Sequence, residues 1–180
     1  MLNKKMIPGL VLMVVFSFYT LSYSQNMDHK NHKHKSSYMS EINNEIKALS
    51  EEEINQLLNG HGMGLAKAAE LNSYPGPMHV LEFSNELILT REQIEKTEAL
   101  FHSVKTEAKK LGRMIVEKEK ELDTLFKENR ISQTLLRNKI NEISELNSML
   151  RFAHLNAHLL QKEILTNEQI KTYNELRGYN

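Results

Sequence analysis

Two long runs of helix-compatible sequence, each striped with apolar residues at seven-residue intervals, constrain this chain more than anything else in it. From Arg91 to Glu128 there is no proline, and Gly112 is the only glycine. Ile94, Phe101, Ala108, Ile115 and Leu122 form one stripe. Val104, Leu111 and Leu125 form a second, which Thr97 and Lys118 interrupt. The pattern predicts a coiled-coil helix of about 38 residues, roughly 57 Å long at about 1.5 Å per residue. Asn129-Arg130-Ile131 breaks the run, and Ser132 is placed to cap a second helix extending to about Ile164. There Leu136, Ile143, Leu150, Ala157 and Ile164 make one stripe, and Leu146, Ala153 and Leu160 the other. Two seams joined by a short turn fold back as an antiparallel pair. The predicted fold class is therefore all-α, a long antiparallel helical hairpin with short flanking helices. A lone hairpin leaves each stripe half covered. Helices before Thr90 are expected to cover some of it and a second copy of the chain the rest, as a homodimer.

Two matching stretches flank the hairpin. Leu89-Thr90-Arg91-Glu92-Gln93-Ile94 and Leu165-Thr166-Asn167-Glu168-Gln169-Ile170 both read Leu-Thr-x-Glu-Gln-Ile. In each, a threonine N-cap is followed three residues on by a glutamine able to reach back to the cap's N–H, and the preceding leucine can staple the incoming chain. Each starts a helix, the second of which ends near Leu176-Arg177-Gly178. Upstream, Ser50-Glu51-Glu52-Glu53 is a capping box opening a short helix that ends near Asn59-Gly60. Gly60-His61-Gly62-Met63-Gly64 reads as a joint before a small-residue helix from Leu65 to Leu71. Tyr74-Pro75-Gly76-Pro77 breaks that helix, and Pro77 suits the first turn of the next, which carries Val80, Leu81, Phe83 and Leu87.

The first residues have the layout of a secretory signal peptide. Lys4 and Lys5 precede an uncharged apolar run from Met6 to Leu21, and Ser22-Tyr23-Ser24 offers small residues at the −3 and −1 positions. Cleavage is expected between Ser24 and Gln25. A retained anchor is the alternative, but the run is short of the ~18 residues a spanning helix needs. The chain has no cysteine, which excludes a lipobox, disulfides and thiolate ligands. Removing Lys4 and Lys5 with the leader leaves 21 basic residues, from 23, against 23 acidic ones. That balance gives no footprint for nucleic acid. Residues 25–48 read as a disordered His/Lys-rich linker centred on Asp28-His29-Lys30-Asn31-His32-Lys33-His34-Lys35. It can either capture metal ions loosely or simply hold the domain, 49–180, clear of the membrane.

Paired Leu-Thr-x-x-Gln motifs around a long hairpin, behind a signal peptide, resemble the CpxP/Spy group of periplasmic proteins. The likeness spans roughly residues 60–179. The stretch from Gly62-Met63-Gly64 to Glu82, with Tyr74-Pro75-Gly76-Pro77, is similar to the heavy-metal sensor and resistance subset, which includes zinc-resistance-associated and nickel/cobalt-sensing members. The resemblance implies a dimeric, ATP-independent role. Such a protein binds metal ions or protects unfolded client proteins, often linked to an envelope sensor protein.

Histidine spacing supports a metal site. His154 and His158 are four apart, so both rings lie on one helix face, a spacing that lets two imidazoles hold one ion. Folding the hairpin about Arg130 sets residue 102 level with 158, which predicts a cluster of His102, His154 and His158 near the open end. The segment before Thr90 docks at that end and offers His61, Met63, His79 and Glu82. In the nickel/cobalt-sensing relatives, ligands come from a histidine-bearing N-terminal segment and an i,i+4 pair late in the second hairpin helix. His154 and His158 match the second element, while His79 and Glu82 match the first loosely. For each histidine the alternative is plain surface, with His102 pairing to Glu98. Nitrogen and oxygen ligands without thiolate suit Zn²⁺, Ni²⁺, Co²⁺ or Cu²⁺.

The competing reading is an ATP-independent periplasmic chaperone. Lys105, Lys109, Lys110, Arg113 and Lys120 interleave with Leu111 and Met114 on the first long helix, a surface suited to unfolded chains. Glu117, Glu119 and Glu121 among them favour a solvated face instead. A purely structural helical dimer is the third class. No enzyme is expected, because there is no phosphate loop or nucleophile elbow. In His154-x-x-x-His158, Leu155 stands where a zincin helix carries its general-base glutamate.

Overall fold

A computed structural model describes residues 36–179. The expected leader and the histidine-rich stretch from Gln25 to Lys35 lie outside the described residues. Six α-helices follow a short 3₁₀ turn, Ser37–Ser40: α1 Glu51–Leu58, α2 Lys67–Glu70, α3 Pro77–Glu82, α4 Arg91–Lys127, α5 Gln133–Ile164 and α6 Asn167–Arg177. The described chain is all-helical, as the heptad pattern predicts. Among the described residues, no helix is long and apolar enough to cross a membrane.

The hairpin forms where the stripes require it. Asn129 turns the chain with a left-handed φ of 54°, a conformation asparagine tolerates, and Ser132 accepts the Leu135 N–H to start α5. Thr97, the polar break in the stripe, is fully buried and accepts a hydrogen bond from Gln161 Nε2 at 3.2 Å, so the seam is polar at one matched level. Lys118, the second break, lies at the edge of the seam and pairs with Glu142 across it, while Lys139 pairs with Glu121. These contacts join residues equidistant from the turn, which is the antiparallel arrangement.

The helix starts behave as capping boxes at Ser50, Thr90 and Thr166. The two glutamines do more than cap. Gln93 Nε2 donates to Gln169 Oε1 at 2.8 Å and to the Ile164 carbonyl at 2.9 Å. Gln169 Nε2 donates to Gln93 Oε1 at 3.0 Å and to the Leu87 carbonyl at 3.1 Å. The repeated motif is therefore a reciprocal clasp that ties the start of α4 to the start of α6 and satisfies both side-chain amides.

Two apolar clusters flank the site. One, midway along the hairpin, joins Leu57 of α1 to Ala108, Leu111 and Ile115 of α4 and to Leu146 and Leu150 of α5. Gly112 makes this possible, since a Cβ there would overlap the Leu57 backbone. The other, at the open end, gathers Val80, Leu87, Leu165, Ile170 and Tyr173. Two boundaries differ from expectation. Residues 36–48, read as linker, contain a buried Ile46, 1% exposed, with Glu45 paired to Lys120 and the Lys47 N–H on Asp123 of α4. Ile46 alone anchors the segment, while Tyr38, Met39 and Ile42 stay exposed. The α3 helix stops at Glu82, and Phe83 to Leu87 continue as turns, because Ser84 and Asn85 favour turns over helix.

Candidate metal centre

Between the two clusters lies a cavity of ≈ 620 Å³, walled by the Gly60–Gly64 joint, α2, the start of α3, and facing stretches of α4 and α5. His154 and His158 project into it from α5, and His61 and His79 stand on the opposing wall. Four of the six expected ligands thus share one cavity.

His158 is the best defined. Its Nδ1 donates to the Tyr74 carbonyl at 2.6 Å, which fixes the tautomer and leaves the Nε2 lone pair free. Gly76 allows the loop to sit on the ring, since a Cβ there would come within 2.9 Å of His158 Cε1. Metal-binding histidines commonly donate their other ring N–H to a backbone carbonyl in this way. His154 lies one turn earlier, facing Gly62, and its Nε2 is buried with no hydrogen-bond partner. Burial lowers the His154 pKa, and the neighbouring His158 and Lys105 push it the same way, which favours the neutral ring that binds metal.

Glu70 organises the floor. Its Oε1 accepts the Tyr173 hydroxyl at 2.6 Å and the Tyr179 hydroxyl at 3.1 Å, with Arg177 Nε at 3.2 Å. Its Oε2 is buried, unpartnered, and 3.6 Å from His158 Nδ1. Burial, followed by the Glu70 bond, raises the Tyr173 phenol far above its ordinary value, so it remains a donor.

The other expected ligands fare differently. His79 and Glu82 meet each other, at 2.7 Å, and of the two His79 lines the cavity. His102 does not join His154 and His158. Phe101 occupies the cavity wall, which leaves His102, about 100° further round α4, exposed with its ring against Phe101 at 5.7 Å between centroids. Among the described residues, no three His, Asp or Glu side chains converge closely enough to hold an ion. Sequence reasoning missed Glu70 and Met78 as site residues, and read Lys105, which lines the cavity, as part of a surface for unfolded chains. Tyr173 and Arg177, four apart on α6, were the available sign that this helix buries a charged partner.

No family model, curated protein or solved structure matches this chain.

Proposed function

We propose that this is a non-enzymatic, periplasmic metal-binding protein acting in heavy-metal sensing or resistance within the envelope stress response. The observation that carries the reading is the pair of His154 and His158 in one cavity, with His158 Nδ1 held by the Tyr74 carbonyl and His154 Nε2 buried without a partner. A buried imidazole nitrogen left unpaired is costly unless something binds it. The signal-peptide pattern supports export, and the resemblance of the paired motifs to the CpxP/Spy group supports the role. Calorimetric titration with Zn²⁺, Ni²⁺, Cu²⁺ and, under anaerobic conditions, Cu⁺ tests it. Stoichiometric binding abolished by His154→Ala/His158→Ala is the expected result, and no binding beyond that of the histidine tail sinks the proposal.

A second reading, an ATP-independent chaperone, draws on a separate feature. A groove of ≈ 540 Å³ runs between α4 and α5 and is lined by Leu100, Val104, Met149, Phe152 and Leu160. Phe152 is 67% exposed there. Such a surface suits an unfolded client or the expected second copy of the chain. Suppression of client aggregation without metal, lost on Phe152→Glu, would favour it.

A further inference from the structure

We infer that the cavity takes a soft monovalent cation, Cu⁺ or Ag⁺, held by the thioethers of Met63 and Met78 together with the imidazoles of His154 and His158. The inference rests on the metal-binding reading above and names the kind of ion that reading leaves open.

Three observations converge on it. The first is the donor set. Met63 and Met78 line the same cavity as His154 and His158, while no three His, Asp or Glu side chains converge among the described residues. Borderline dications such as Zn²⁺ are held by thiolate, imidazole and carboxylate, and here thiolates are absent and no third imidazole or carboxylate converges on the pair among the described residues. Thioethers are soft donors and select Cu⁺.

The second observation is backbone strain. Met63 holds φ at 47° between Gly62 and Gly64. Glycine is the residue that adopts this conformation without penalty, yet the glycines flank the position and a methionine fills it. Strained non-glycine residues persist where the surroundings over-determine them, as at ligand clamps. Here the strained residue carries the one side-chain atom type, sulfur, that the histidine-and-carboxylate set lacks.

The third is charge. The charged side chains lining the cavity are Lys67, Lys105 and Arg177 against Glu70 alone, whose Oε1 is already engaged by Arg177 and two tyrosines. Coulomb repulsion from a net positive lining scales with the charge of the ion, so it disfavours a dication twice as much as a monocation. Phe101, Val104 and Ala157 complete a wall that suits a weakly hydrated ion.

The test uses the isolated protein with His29, His32 and His34 replaced by Asn, which removes the tail as a competing binder. Ag⁺ in air and Cu⁺ under anaerobic conditions are titrated against a chromogenic chelator, with Zn²⁺ in parallel. The same titrations are run on Met63→Leu/Met78→Leu, a volume-conserving change whose circular dichroism and melting temperature should match the parent. Affinity for Ag⁺ and Cu⁺ should fall about tenfold or more, with Zn²⁺ binding unchanged. X-ray absorption of the Cu⁺ form should show a sulfur neighbour, which in a chain without cysteine and a thiol-free buffer can only be methionine. A nitrogen-and-oxygen shell alone, or unchanged Ag⁺ affinity in the methionine variant, overturns the inference and leaves the metal-binding reading standing. A parent protein that binds none of the three ions overturns both.

Discussion

Gly112 is a residue whose value depends on another element. In an isolated helix, alanine would be preferred there by about 1 kcal/mol. In this fold, a methyl group would strike the Leu57 carbonyl where α1 crosses α4. Gly112→Ala is therefore expected to destabilise by on the order of 1–3 kcal/mol, read as a lower urea midpoint, despite its better helix propensity. Tyr173 offers a second case. Removing its hydroxyl with Tyr173→Phe takes a 2.6 Å bond from the Glu70 carboxylate. The expected cost is about 1.5–3 kcal/mol, measured in the same denaturation. Sequence reading singled out Gly112 as the lone glycine of a long helix but could assign it no purpose. The purpose lies in Leu57, 55 positions away in the chain.

At the scale of elements, the two Leu-Thr-x-Glu-Gln-Ile motifs predict helix starts correctly because capping chemistry is local, confined to four consecutive residues. Their reciprocity is not local. Gln93 and Gln169 exchange hydrogen bonds only after the hairpin has brought the starts of α4 and α6 together. Alanine at either position should cost about 1–3 kcal/mol, because each substitution removes both bonds of the exchange and takes the donor from a backbone carbonyl, that of Ile164 or of Leu87. The double variant should cost clearly less than the two losses combined, and a double-mutant cycle reads the coupling directly. Nearer the turn, Lys118, Glu121, Lys139 and Glu142 form a four-charge box across the seam. Bonds from Lys139 and Lys118 hold the Glu121 carboxyl below its ordinary value of 4.5, and bonds from Lys118 and Lys139 do the same for Glu142. Both folded-state pKa values are depressed, so the contribution is present above about pH 4.5 and lost as pH falls through the lowered values. Stability measured against pH should decline there, and the decline should shrink in Lys139→Met and at high salt.

At the scale of the whole molecule, the described helices cover one side of the hairpin and leave the other side open along Leu100, Val104, Met149, Phe152 and Leu160. If a second copy of the chain closes that groove, sedimentation should report a dimer that Phe152→Glu converts to monomer. A persistent dimer in that variant would assign self-association to another surface. The cavity at the other side links ion and fold, because an ion bound only by the folded state stabilises it. At about 100 times Kd the gain is about 2.7 kcal/mol. The melting temperature should rise accordingly, return on chelation, and stay flat in His154→Ala/His158→Ala.

The helical hairpin, its turn and its helix starts were legible in the sequence, because heptad spacing and capping act between residues a few positions apart. That His154 and His158 share one face of α5 was legible for the same reason, as an i,i+4 relation on one helix, and both line the cavity. What the tertiary structure alone decided was which side of α4 faces the cavity. Packing there brings in Phe101 and turns His102 outward. It also buries Ile46 of the segment read as linker and sets Glu70 of α2 against Tyr173 and Arg177 of α6. Those outcomes depend on contacts between residues tens of positions apart, and no local pattern encodes which of several compatible faces a helix will bury.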